Sequence, residues 1–453
     1  MLVHPTRIIH SLTLTALLTT LVATSTSSHA QVLNEDFKIF TQTMTPGSAF
    51  GRVIAVKDDI TVVGAPSDDE LGENTGTAYV LITSTGEQIA QLTPSIIADY
   101  DRFGEGIVIG DNIIAVSALN AQAIDGNSGM VFLFDRQTFE EIATIQPSDG
   151  ASFGHFGYSM AVDGNLLAIA SVGNDFAKDP NAVYLYDIDA QSLTLRITPN
   201  DPGSTQLFAN AVAMENGILA AGAHGDDNAH GNNAGAVYLF DAATGSQLMK
   251  IIPNDLRTRD FFGRSVDIHN GILAVGAPGY DAENIEIGTA YLFNATTGER
   301  LNKLFPTNEL ISQAFGETIA MDGDTIAIGS KFDEPSGIRS GSAYLFSMST
   351  GLLITKLVAS DGEQYDYFGT ALDINNGTVV VGSPLDDALG SAYFFSVPCL
   401  VDLNDDGSLN FFDISMFITA LKTQDPIADY NNDSRWNFFD VSVFLQAFAA
   451  GCQ

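Results

Sequence analysis

The chain is poor in what several protein classes need. Only 19 of its 453 residues are Lys or Arg, against 55 Asp and Glu, giving a formal charge of −36. That balance excludes nucleic acid and anionic lipid as expected partners, because their phosphates are held by cations. Beyond residue 30 no run approaches the ~20 apolar residues a transmembrane helix needs. Histidine is scarce: only His155, His224, His230 and His269 follow residue 30, with no Ser-His-Asp arrangement and no H-E-x-x-H motif. No catalytic residue is assigned. Cysteine is nearly absent, and its two copies, Cys399 and Cys452, bracket the last stretch of the chain.

What is present begins with an address. Arg7 precedes a largely apolar run from Ile8 to Val22, and Ser28-His29-Ala30 offers a small-x-small cleavage site. Residues 1–30 read as a secretory signal, so the protein is expected to be secreted or attached to the cell surface.

A repeat follows. Phe50, Phe103, Phe156, Phe208, Phe262, Phe315 and Phe368 recur at intervals of 52 to 54 residues, all but one followed by Gly, with Ala209 the exception. A second landmark is Gly-Ala-Pro or a relative (Gly64-Ala65-Pro66, Gly276-Ala277-Pro278, Gly382-Ser383-Pro384), and a third is a small residue before an aromatic strand, as in Gly288 and Tyr291. Pairs such as Asn270-Gly271 between apolar runs are strong hairpin signals, because a two-residue turn needs positive φ. Asp163-Gly164 and Asp322-Gly323 read the same way. A fourth strand follows Thr-Gly turns such as Thr297-Gly298. Four strands per unit, seven units and no helical period predict a mainly β fold, a seven-bladed β-propeller over residues 31–398. The last unit ends without its fourth strand, while Phe37–Pro46 resembles one. The N-terminal strand is therefore expected to close the ring and remove both exposed edges.

Phe-Gly followed by Gly-Ala-Pro, seven times over, resembles the FG-GAP repeat of integrin α-subunit propellers and of many secreted bacterial proteins. The WD40 and kelch readings fail, since the single Trp lies outside the repeats. The D-x-D-x-D-G calcium loop found in integrin-type blades is missing from all seven units, so blade calcium is not carried over.

With strands labelled A to D from each Phe-Gly, the longer B–C and D–A loops share one face. They carry many carboxylates, including Asp68, Asp69, Asp226, Asp333 and Asp386 on B–C loops and Asp99, Asp101, Asp260 and Asp366 on D–A loops. Tyr100, Tyr365 and Tyr367 are interspersed. Function concentrates on loops held by a rigid scaffold, so this acidic, aromatic-dotted face is the expected binding face. His224 and His230 flank Asp226 and Asp227, a weak transition-metal pattern. A phosphatase would need clustered cations, and Arg102, Arg257 and Lys331 look scattered.

Residues 399–453 change character. Asp402, Asn404, Asp406 and Asp413 fall at positions 1, 3, 5 and 12 of a calcium loop with Gly407 at the turn, and the pattern returns 27 residues on. The predicted ligand sets are Asp402, Asn404, Asp406, Ser408 and Asp413, then Asp429, Asn431, Asp433, Arg435 and Asp440, for two calcium ions. In the second loop Ser434 replaces the turn glycine and Arg435 brings a positive charge. Each loop leads into an apolar helical stretch, so a small α-helical C-terminal domain is expected. In an oxidising compartment Cys399 and Cys452 are expected to pair, or Cys452 to link a surface partner.

The duplicated loop-helix with Asp at position 12 resembles a dockerin. That resemblance implies a cohesin-like or envelope partner, although Phe411-Phe412 and Phe438-Phe439 stand where small polar residues are common. The expected function is non-enzymatic binding or adhesion: the propeller recognises a protein or glycan, and the tail docks it in a calcium-dependent way. The alternative is a polysaccharide-active hydrolase or lyase carried on the propeller.

Overall fold

The computed structural model describes residues 32–33, 35–40, 45–123, 126–147, 154–173, 181–201, 207–282, 285–306, 314–404, 406–430 and 435–451. The expected signal segment, Asn431, Asp433 and Cys452 lie outside them.

Seven antiparallel sheets, each ordered A-B-C-D, form the blades. The first shows the pattern: Val53–Lys57, Ile60–Ala65, Thr77–Ile82 and Gln88–Leu92. Strands B and C are buried along nearly their whole length, while D passes from exposed residues at its start to a buried one at its end. That difference is the burial expected of central strands and of an edge strand facing solvent. Each strand A touches strand A of the next blade, and the contact between Val53–Lys57 and Ala371–Asn375 returns the series to its start. The ring is closed.

The N-terminal strand supplies the missing piece. Phe37–Ile39 pairs antiparallel with Ser391–Ser396 as strand D of the seventh blade, in the register Phe37 to Phe394. An unanticipated fifth strand precedes it. Val32–Leu33 runs parallel to Leu353–Leu357 on the outer edge of the sixth blade. Glu35 then accepts the Ser360 N–H at 3.1 Å as the chain crosses to the seventh.

The A–B turns divide by chemistry. Asn216, Asn270 and Asn376 and the glycines after them all have positive φ, as the Asn-Gly reading requires. In two other blades the register puts the turn one residue later: Asp163 pairs with Leu166 and Asp322 with Thr325, leaving Gly164-Asn165 and Gly323-Asp324 as the loops. A leading Gly suits the other hairpin turn, which needs positive φ only at its first position. The aspartates are then free to staple blades, Asp163 accepting the Gly217 N–H and Asp322 the Asn376 N–H.

All seven motif phenylalanines are fully buried. Each packs against strand C aromatics of its own blade, as Phe262 does edge-on against Tyr291 with centroids 5.3 Å apart. Burying one such ring contributes roughly 2–3 kcal/mol. The glycine landmarks answer a different demand. Gly390 has φ 86° and bridges Phe50, and a Cβ there would strike the Phe50 backbone. A Cβ on Gly382 would strike the Gly51 carbonyl. The next blade's Phe-Gly wedges against the Gly-Ala-Pro strand, so both landmarks are blade-to-blade geometry.

The C-terminal region holds two helices, α1 (Phe411–Thr423) and α2 (Phe438–Ala450). Each begins with a capping box, Asn410 with Asp413 and Asn437 with Asp440, which satisfies otherwise orphaned N–H groups. Phe417 and Phe444, equivalent positions of the duplicated sequence, stack with centroids 4.0 Å apart at the centre of a small core with Val401 and Ala428.

Candidate functional site

The loop carboxylates are largely turned inward. Asp68, Asp226, Asp333 and Asp386 on B–C loops are buried, and each accepts the hydroxyl of the strand C tyrosine in its blade. The distances are 2.9 Å for Tyr79, 3.0 Å for Tyr238, 2.7 Å for Tyr344 and 3.0 Å for Tyr393. A buried hydroxyl needs a partner, and a buried carboxylate needs donors. Strand D adds a cation: Lys250, Lys356 and Lys38 reach Asp226, Asp333 and Asp386 at 2.9, 3.0 and 2.6 Å. Burial alone would lower the Lys38 pKa, but Asp361 and Asp386 hold it above its usual range.

Two blades show the rule by breaking it. In the second, Ala121 stands at the Asp position and strand C carries Phe132, so neither half of the pair is present. In the fifth, Tyr280 replaces the Asp, and the Tyr291 hydroxyl is buried without a hydrogen-bond partner among the described residues. Lys303 lies over both rings instead, 3.6 Å from the Tyr280 centroid and 4.5 Å from that of Tyr291.

The D–A loop aspartates Asp101, Asp260 and Asp366 are also buried, and each accepts an N–H three residues back, from Ala98, Arg257 and Glu363. Most of the face's expected ligands are therefore scaffold. Asp69, Asp99 and Asp227 remain exposed. Asp227 and Asp69 still cap their own loops, accepting the Asn233 and Asn74 N–H groups. Asp226 is taken by Tyr238 and Lys250, so the His224–His230 loop does not gather a metal site. Among the described residues no group of three His, Cys, Asp or Glu side chains is placed to hold a metal ion.

The chemistry that remains lies around the mouth of the central channel. The residue before each motif phenylalanine has positive φ in all seven blades: Ala49, Arg102, His155, Leu207, Phe261, Ala314 and Tyr367. Side chains other than Gly, Asn and Asp rarely adopt this conformation, and it costs on the order of 1 kcal/mol at each position. Such strain persists where the surrounding structure over-determines it, often at functional sites. Ala49, Arg102 and Tyr367 line one cavity of about 330 Å³ together with Arg52, Lys331, Phe332 and Leu385, from the first, second, sixth and seventh blades.

The cavity is cationic in an acidic protein. Glu105 accepts Arg102 Nε and Nη2 at 3.1 and 2.9 Å and lies 3.6 Å from Arg52. Glu317 is shared by Arg264 at 2.9 Å and Lys331 at 2.6 Å. Burial would raise the Glu317 pKa, but the two cations hold it down at about 2. Two glutamates thus serve four cations. Next to Arg264, burial and that positive charge pull His224 down to about 4, so it is neutral at physiological pH. Arg102 and Lys331, which look scattered in the sequence, share one wall because the ring closes.

In the tail, the first loop winds around its predicted ligands. Asp402 accepts the Asp406 and Gly407 N–H groups at 3.2 and 2.7 Å, and Asn404 Nδ2 donates to Asp406 at 2.9 Å. Asp413 is buried and accepts N–H groups from Leu403 and Asn410. The Ser408 carbonyl accepts Asn410 Nδ2 at 2.8 Å, and the Arg435 carbonyl accepts Asn437 Nδ2 at 3.2 Å in the second loop. Asp429 and Asp440 are buried there. Cys399 is not a free thiol. Phe411, Phe412, Phe438 and Phe439 are 66 to 76% exposed, so these phenylalanines are not packed inside.

A closed ring of seven four-stranded blades with Phe-Gly wedged between neighbours defines a β-propeller built from one repeated unit. The FG-GAP repeat family matches residues 36–81, 139–186, 192–240, 246–293, 300–346 and 353–395. These matches span more than half of the chain, which belongs to that family. Each match runs from a strand D into the A–C strands of the next blade, the same offset by which Phe37–Ile39 closes the ring. Strands A to C of the second blade, where Ser117-Ala118-Leu119 replaces Gly-Ala-Pro, fall outside the matches. No curated protein matches the chain.

Proposed function

We propose that this protein is a secreted or surface-attached, non-enzymatic binding protein. Its propeller recognises a protein or glycan at the channel mouth, and its C-terminal module docks it to a partner or to the envelope. The observation that carries this reading is the ring of seven left-handed positions. One strained backbone geometry recurs in every blade while its side chain changes from Ala to Arg, His, Leu, Phe and Tyr. A fixed frame with variable side chains suits recognition.

For the tail, the donor set fits calcium. Asp402, Asn404 and Asp406 bring hard oxygens around the turn at Gly407, whose φ is 74°. Bound calcium would neutralise these clustered carboxylates and tie the loop to α1. The exposed phenylalanine pairs at the starts of α1 and α2 offer an apolar patch to a docking partner. A disulfide between Cys399 and Cys452 would close the module, contributing on the order of 4 kcal/mol.

The test is a pull-down from the organism's own envelope and secretions with the full chain, in calcium and in chelator. Asp402→Ala with Asp406→Ala, and Phe411→Ser with Phe438→Ser, serve as tail variants. Calcium-dependent capture lost in both variants is expected. Capture unchanged by chelator and by both variants would end the docking reading.

The polysaccharide-active alternative needs a pair of carboxylates free for acid and base work. At the mouth Glu105 and Glu317 are each held by two cations, which favours binding over turnover. Release of reducing ends from any polysaccharide, abolished by Glu105→Gln, would reverse that choice.

A further inference from the structure

We propose that the channel mouth binds a hexuronate residue of an acidic polysaccharide, a ligand class that rests on and deepens the binding reading above. The charge is the first reason. In a chain of formal charge −36, three cations, Arg52, Arg102 and Lys331, line this one cavity, with Glu105 and Glu317 as their acidic partners. Each glutamate is already shared between two cations, so a surplus positive charge is left on either side of the cavity. Arg52, 45% exposed and 3.6 Å from its glutamate, is the least committed of them. An incoming carboxylate can take its guanidinium as a two-pronged donor. Beyond about 8 Å salt screens the acidic surface of the molecule, so the local cations decide what enters.

The second reason is the apolar wall. Phe332 lies between two cations, with Lys331 5.2 Å and Arg339 4.9 Å from its centroid, and meets Tyr367 at 5.9 Å. Leu385, 55% exposed, completes that side. A simple inorganic anion would use the cations and leave this wall bare. A pyranose carrying a carboxylate has a flat C–H face for the aromatics and an anion for the arginines. The volume of about 330 Å³ is at the small end of ligand sites and suits one or two sugar rings. The left-handed backbone at Arg102 and Tyr367, φ 59° and 56°, sets where two of these side chains leave the chain before any ligand arrives.

The experiment uses the full chain and calorimetric titration with tetrasaccharides of galacturonate, glucuronate and mannuronate. Their methyl-esterified forms and inorganic sulfate are the comparison probes. At least one uronate is expected to bind, with its methyl ester at least about tenfold weaker, as loss of a charged hydrogen bond implies. Arg52→Gln and Phe332→Ala should each weaken it about tenfold, with melting temperature unchanged for Arg52→Gln, whose side chain is on the surface. Equal binding of ester and acid, indifference to Arg52→Gln, sulfate binding as tightly as the uronates, or silence of all three uronates at millimolar concentration would each overturn the proposal. Failure here with a partner still captured in the pull-down removes only the ligand class. Uronate binding without any captured partner keeps the site and removes the docking reading.

Discussion

Lys38 Nζ lies 2.6 Å from Asp386, joining the first full strand of the described chain to the last B–C loop of the ring. Both side chains are largely shielded, 14% and 3% exposed, and Asp386 also accepts the Tyr393 hydroxyl. The pair is thus an electrostatic latch on the strand that closes the propeller. Lys38→Ala should cost about 3 kcal/mol, because it leaves a buried carboxylate without its cation. Lys57→Ala, which breaks a pair with the 71%-exposed Asp111, should cost no more than about 0.5 kcal/mol. Denaturant midpoints of the two variants check the difference, and equal midpoints would show that the latch is not structural.

The Asp–Tyr pair shared by the first, fourth, sixth and seventh blades makes a prediction about coupling. Asp68→Ala leaves the Tyr79 hydroxyl buried without its 2.9 Å acceptor, at a cost of about 2 kcal/mol. Adding Tyr79→Phe removes that hydroxyl as well and should recover about 1 kcal/mol, reproducing the Ala121–Phe132 combination of the second blade. A double-mutant cycle by chemical denaturation measures this. Strictly additive losses would mean that the two groups do not act as a unit.

How much of this is legible in the sequence depends on whether the cause is local. The closing strand is legible, since Phe37-Lys38-Ile39 has the strand D pattern and the last blade lacks one. The shared role of Lys38, Lys250 and Lys356 is written in their repeat position too, but in so acidic a chain each reads as an isolated surface charge. The loop aspartates mislead for a physical reason. A carboxylate that caps its own loop and one that faces solvent have the same turn preference, and only burial separates Asp226 from Asp227. The mouth is not legible at all, because Arg52, Arg102 and Lys331 meet only through ring closure. Exposure of Phe411 and Phe438 likewise depends on which helix face packs, and the stacking of Phe417 on Phe444 decides it.

That stacking carries the tail. Phe417→Ala removes half of the central ring pair and should cost about 3–5 kcal/mol, more than so small a core can lose. Hydrogen exchange over residues 399–451 of the full chain should then show loss of protection in α1 and α2 with the propeller unchanged. Phe411→Ser, at a side chain 74% exposed, should leave protection as it was. Protection retained in Phe417→Ala would place the core of the module elsewhere.

Two carboxyl groups inside the channel set the pH dependence. Asp267 and Asp373 lie on strands A of the fifth and seventh blades, and each accepts an N–H from the next blade, from Met321 at 2.7 Å and from Val56 at 2.6 Å. Enclosure within the strand A ring pushes Asp267 up to about 8, with the Asp373 charge adding to it, and pushes Asp373 up to about 7. The folded state therefore keeps protons that the unfolded chain releases near its ordinary value of 3.8. Stability from these groups is fully present below about pH 4 and is lost as pH rises through 7 and 8. Glu317 works in the opposite sense: held at about 2 against an ordinary 4.5, it contributes above pH 4.5 and is lost as pH falls toward 2. The balance among these three groups turns near pH 4, and above it the two aspartates lower stability steadily up to about pH 7 to 8. Asp267→Asn with Asp373→Asn keeps an acceptor at each site and removes the titration, so its denaturation midpoint should stay level from pH 5 to 8 while that of the native chain falls. Parallel slopes in the two proteins would show that the channel carboxyl groups are not the source.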